Sequence, residues 1–145
     1  MPQVVMPTRP AEHRVALRVG AGYDGGLGTV AAARTLADDF LGAARSLLGA
    51  PVTAAVAGSV RLVVSELVTN AAKYAPGPCL LDLELTGDDI SITVWDTEPA
   101  LPVPHGTDPL RVGRHGLEIV LALSRHYSAE SRAGGKRVRA HLALE

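Results

Sequence analysis

Apolar and polar positions alternate with a period of two along His13-Arg14-Val15-Ala16-Leu17-Arg18-Val19, which predicts a half-buried strand near the start of the chain. The glycine-rich stretch Gly20 to Gly28 reads as a loop. The pattern then changes to a helical one: Thr29 is placed as an N-cap for a helix running through Val30 and Leu41 and ending near Gly49 and Pro51. A second helix is predicted from about Thr53 to Tyr74. Its buried side carries Val60, Val63, Val64, Leu67, Val68 and Ala71, and Pro76-Gly77-Pro78 ends it. Leu81 to Leu85 and Ile90 to Trp95 alternate again, and Gly87-Asp88-Asp89 between them is turn chemistry suited to an antiparallel hairpin. After a long segment rich in proline come a third helix, Leu117 to His126, a strand Tyr127 to Ser131, a Gly134-Gly135 turn and a last strand, Val138 to Leu144.

The predicted order is therefore β, α, α, β, β, loop, α, β, β. Locally paired strands with separate helices imply an α+β fold, a two-layer sandwich whose mixed, mostly antiparallel sheet carries three helices on one face. Residues 1–12, with Pro2, Pro7 and Pro10, read as a flexible tail, and 13–145 as a single domain.

Composition narrows this picture. The 145 residues are 47% hydrophobic but only 3% aromatic, so the core is built from small and branched aliphatic side chains. A net charge of -1 provides no long-range field for nucleic acid or an anionic membrane. The local cluster Arg132, Lys136, Arg137 and Arg139 reads as exposed positions on a terminal strand or as a small basic patch. Cys79 is the single cysteine, which excludes an internal disulfide framework and a Cys-rich zinc site. His13, His105, His126 and His141 stand at no metal-ligand spacing. No signal-like leader is evident, and every apolar run is interrupted before the ~20 residues that a membrane-spanning helix needs, so a soluble, cytoplasmic protein is expected.

The candidate chemistry lies in three places. Glu66, Asn70 and Lys73, at i, i+4 and i+7 within Val63 to Tyr74, put a carboxylate, an amide and a cation on one helix face. That set can orient a hydroxyl, ligate magnesium and touch phosphate, or it can be an ordinary solvated face. Asp96 ends the strand Ile92-Thr93-Val94-Trp95-Asp96, where it can accept a hydrogen bond from an amine or form an Asx turn. Gly113-Arg114-His115-Gly116-Leu117 opens the third helix, whose N-terminus favours anions.

Together these segments resemble a known family. Ser65-Glu66-Leu67-Val68-Thr69-Asn70-Ala71 is similar to the N-box of the gyrase, heat-shock 90, histidine-kinase and MutL ATPases, most of all to the variant in anti-sigma factor serine kinases. The resemblance implies the Bergerat ATP-binding fold, with ATP and magnesium as cofactors. It implies Glu66 as general base toward a substrate serine, Asn70 as magnesium ligand and Asp96 as partner of the adenine amino group. Gly113 and Gly116 then approach the phosphates, Lys73, Arg111, Arg114 and His115 are further phosphate or partner contacts, and Pro99 to Arg111 forms the ATP lid. The implied partners are a sigma factor and an anti-anti-sigma protein, with a homodimer as the expected assembly and no direct nucleic-acid or membrane partner. A histidine kinase is disfavoured because a short tail and one strand stand where that family has a phosphorylated helical hairpin. Three departures bear on the site: Asp96-Thr97-Glu98-Pro99-Ala100 replaces the usual glycine-bearing segment, the second glycine box is Gly-x-x-Gly, and Arg137 is read as standing at a position usually held by threonine. They leave room for an alternative, a catalytically degenerate module that regulates a partner by contact alone.

Overall fold

The computed structural model describes residues 14–74, 77–98 and 116–144. Five strands and three helices follow in the order β1 (Val15–Tyr23), α1 (Thr29–Leu48), α2 (Ala54–Tyr74), β2 (Cys79–Thr86), β3 (Asp89–Asp96), α3 (Gly116–Leu123), β4 (His126–Arg132) and β5 (Gly135–Ala143). The strands form one sheet in the order β1-β2-β3-β5-β4. Every pairing among the described residues is antiparallel.

Long-range pairing moves several boundaries away from local propensity. β1 runs on through Gly20 and Gly22, expected to lie in a loop, because Gly22 pairs with Leu80 and Tyr23 with Cys79. α1 is capped by Gly28 in a left-handed conformation rather than by Thr29, which lies inside the helix and is buried. Its other end closes on Gly49, also left-handed, with Gly49 N–H donating to Arg45 O and Ala50 N–H to Ala44 O, a Schellman-type stop. Thr53 caps α2, its hydroxyl accepting from Val56 N–H at 3.1 Å. α3 stops at Leu123, short of the expected His126, because His126 is taken up by β4 opposite His141. The final turn is Ala133-Gly134, since Gly135 already pairs with Arg132.

The core lies between one face of the sheet and the helices. Ala33, Ala37, Phe40 and Leu41 of α1 and Val60, Val63, Val64 and Val68 of α2 meet Leu81, Leu83, Ile92, Val94, Ala140 and Leu142 of the sheet. Each fully buried valine, leucine, isoleucine or phenylalanine among them contributes roughly 1.5–3 kcal/mol of transfer free energy. Over Ala54–Lys73, α2 is long and apolar enough, at a mean hydropathy of 1.2, to cross a membrane by length and composition alone, a stretch that the sequence reading had excluded. Its apolar side is spent on the core, with Val60, Val63, Val64 and Val68 fully buried. The opposite face of the sheet is polar yet well covered: Arg18 Nη2 pairs with Asp82 at 2.7 Å, and Arg139 Nε donates to Thr93 Oγ1 at 2.8 Å, leaving Thr93 only 1% exposed.

Tyr127 on β4 packs against the core, and its hydroxyl is buried without a hydrogen-bond partner among the described residues. Burial pushes the phenol up from 10.0 to about 12. The native state therefore holds this proton more tightly than the unfolded chain. The corresponding stability is intact below pH 10 and is lost as pH rises through about 12. Tyr127→Phe removes an unpaired buried hydroxyl, so urea unfolding at neutral pH should show a variant as stable as the wild type or up to about 1 kcal/mol more stable. The same variant should lose less stability than the wild type between pH 10 and 12.

Candidate functional site

The middle of α2 carries the polar stripe across the core helix. Glu66 and Asn70 are half-buried and Lys73 is exposed, so the stripe runs outward from the protein interior to the surface. Ser65, just before Glu66, is buried and ties α1 to α2: its hydroxyl accepts from Arg34 Nε of α1 at 2.7 Å and donates to Arg61 O within α2 at 2.8 Å. The sequence reading did not single out Arg34. The contact depends on how α1 lies against α2, which periodicity within either helix does not encode.

Glu66 meets the start of α3. A side chain at Gly116 would collide with Glu66 Oε2, so the absence of a Cβ there lets the carboxylate lie against the first residue of the helix. Glu118 stands in the first turn of α3 itself. Free N–H groups at a helix N-terminus favour negative charge, and Glu66 and Glu118 both bring a carboxylate to this end of α3. Glu66, Asn70 and Gly116, expected to serve one site, thus come from two elements that pack on each other. Asn70 and Glu66 supply hard oxygen donors one helical turn apart. The Asn70 oxygen is of the kind that suits magnesium, which takes one or two protein ligands and fills its remaining positions with water and phosphate oxygens.

At the end of β3 the arrangement is different. Asp96 is buried, and its Oδ2 lies 2.7 Å from Lys136 Nζ, with side-chain exposures of 2% for Asp96 and 6% for Lys136. Its Oδ1 accepts from Glu98 N–H at 2.9 Å, the Asx turn that the sequence left open as an alternative. Lys136 Nζ also donates to Glu98 O at 3.4 Å. The pair is set by register, since Asp96 and Lys136 are direct partners between β3 and β5. Gly135 permits the close approach, because a side chain there would strike Asp96 O. Cys79, buried beside this corner, has its thiol pushed up by burial, with the Asp96 and Asp24 carboxylates adding to the shift.

One sequence expectation is corrected at this corner. Lys136 is a buried partner of Asp96 and not an exposed strand position. Arg137, the next residue along, pairs with Glu130 of β4, so the residue set against Asp96 is Lys136. A shift of one residue reverses the face on which a strand side chain points, so Lys136 and Arg137 turn to opposite faces of β5. Arg111, Gly113, Arg114, His115 and the Pro99 to Arg111 segment lie outside the described residues.

The pattern of the histidine kinase-like ATPase domain matches residues 27–142, from the residue before Gly28 to the last strand. The chain belongs to the histidine kinase-like ATPase family. Glu66, Asn70, Asp96, Gly116 and Lys136 all fall within the stretch that matches this family. The fold is similar to that in the crystal structure of the RsbU and RsbW domains of Rv1364c from Mycobacterium tuberculosis, with a TM-score of 0.64 and 18% sequence identity. That likeness covers 88% of this chain and 32% of the other, so the chain spans under a third of the length of the solved relative. No curated protein matches the chain significantly. As a histidine kinase-like ATPase domain the chain is of an ATP-binding type.

Breaking the buried pair from one side leaves an uncompensated charge in the interior. Asp96→Ala should therefore lower unfolding stability by about 3–5 kcal/mol in urea titration, while Asp96→Ala combined with Lys136→Met should recover most of that loss. Equal destabilisation by the single and double variants would show that the ion pair does not govern this corner.

Proposed function

We propose that this chain is an ATP-binding regulatory protein of the anti-sigma factor serine kinase type, phosphorylating a serine on an anti-anti-sigma partner, sequestering a sigma factor, or both. The observation that carries this reading is the seating of Glu66 against Gly116, which joins the N-box helix to the helix that follows the second glycine box. The fold likeness to a Mycobacterium tuberculosis structure containing an RsbW domain supports it. So does the order of the segments, with the Glu66-to-Asn70 helix first, the Asp96 strand next and the glycine-opened helix after it.

The roles follow from chemistry and position. Glu66 is the proton acceptor for an incoming serine hydroxyl, held by its contact with α3 and by the neighbouring Ser65–Arg34 link. Asn70 offers its side-chain oxygen to magnesium, which when bound would offset phosphate charge. Lys73, exposed one turn further along, is free to reach a phosphate or a partner. Arg111, Gly113 and Arg114 complete the phosphate side in this proposal. Positioning and charge stabilisation dominate phosphoryl transfer, so a rigid helix bearing two of these groups suits the reaction.

The Asp96–Lys136 pair favours a second reading, a module that regulates its partner by contact with little or no turnover. The two readings separate in a phosphoryl-transfer assay with radiolabelled ATP and a serine-bearing partner recovered by co-purification. On the kinase reading, Glu66→Ala lowers transfer by about 10²–10⁴-fold while partner binding persists. Under the contact-only reading the wild type transfers nothing, and the complex is indifferent to ATP and to Asn70→Ala.

A further inference from the structure

We propose that Lys136 closes the base end of the nucleotide pocket, so that the wild-type chain holds nucleotide by its phosphates alone and does not distinguish adenine from other bases. This rests on the reading of Asp96 as the residue at the base end, and it adds a determinant which that reading does not contain. An adenine amino group is a hydrogen-bond donor and would need a free carboxylate oxygen. Both Asp96 oxygens are already engaged and the side chain is shut off from solvent: Oδ2 holds the Lys136 ammonium at 2.7 Å, Oδ1 holds Glu98 N–H at 2.9 Å, and the side chain is 2% exposed. The ammonium and the amino group are both donors, so they compete for the same acceptor.

Lys136 cannot be moved aside without cost. Its ammonium is buried, with Asp96 and the Glu98 carbonyl as partners, and a displaced Lys136 would leave behind an Asp96 that must be re-paired inside the protein. The backbone offers little slack, because Gly135 is packed onto Asp96 O and the register on either side is continuous from Asp89–Ala143 to Asp96–Lys136. The phosphate end shares none of these contacts. Glu66, Asn70 and Gly116 sit on α2 and α3, and neither Asp96 nor Lys136 bonds to them. Recognition at one end is therefore separable from recognition at the other.

The test is calorimetric titration of the full chain with Mg-ATP and with Mg-GTP, comparing wild type and Lys136→Thr. The wild type should bind both nucleotides with similar, weak affinity. Lys136→Thr should bind ATP about tenfold more tightly or better, the factor that one hydrogen bond to a charged group supplies, and should prefer ATP to GTP. Wild-type binding that already favours ATP over GTP by tenfold or more would overturn the proposal and leave the nucleotide reading standing. If neither protein binds either nucleotide, with both folded by circular dichroism, the nucleotide reading fails and the proposal with it.

A second measurement needs no variant, because the chain has only two lysines, Lys73 and Lys136. Lysine acylation followed by mass spectrometry should label Lys73 and spare Lys136 in the free wild type, and saturating Mg-ATP should leave Lys136 protected. Labelling of Lys136 that appears on adding Mg-ATP would show the base displacing it, and the proposal would be wrong even if Lys136→Thr does not fold.

Discussion

The packing of α2 across the middle of the sheet is the constraint on which the rest of this molecule depends. Val60, Val63, Val64 and Val68 are fully buried on it, and the helix touches β2, β3, β5, α1 and α3. A helix fixed so firmly has its rotation fixed as well, so Glu66, Asn70 and Lys73 have little choice of direction. The hydrophobic stripe and the polar stripe are two consequences of one 3.6-residue period. Precision at the site is supplied by burial on the opposite side of the same helix.

The site that results has two unlike ends. At one, the Glu66 carboxylate of α2 lies against the glycine start of α3, with Asn70 one helical turn further along the same helix. At the other, strand register places a lysine against the carboxylate that the family resemblance assigns to the base, and burial turns that juxtaposition into a closed ion pair. Buried ion pairs are weak evidence of stability, since desolvation offsets much of their attraction. Their consequence here is for recognition, because a carboxylate satisfied from within is not offered to a ligand. Membership of the histidine kinase-like ATPase family and a closed base end are compatible: the family describes the scaffold, and under the proposal Lys136 alters one subsite of it.

Much of the fold was legible in the residues. The alternation of Leu81 to Leu85 and Ile90 to Trp95, the Gly87-bearing turn and the valine stripe of α2 announced the central hairpin and its covering helix, because local pattern and tertiary burial agree there. Agreement failed where pairing overrode propensity. Gly20 and Gly22 were read as loop and are strand, since β2 supplies hydrogen-bond partners that no single-chain pattern reveals. His126 was read as helix and is strand for the same reason. At the site, the α2 stripe was visible because helical spacing alone defines it. The Asp96–Lys136 contact was not, because it joins residues 40 positions apart and depends on which face of β5 each side chain occupies, a matter of register by one residue.

The most direct test of a pocket open at its phosphate end and closed at its base end is the affinity of the wild-type chain for magnesium tripolyphosphate measured beside its affinity for Mg-ATP. If phosphates alone are held, the two ligands should bind within a few-fold of each other and compete for one site. ATP binding far tighter than tripolyphosphate would mean that the base is read after all, and the account given for Asp96 and Lys136 would be contradicted.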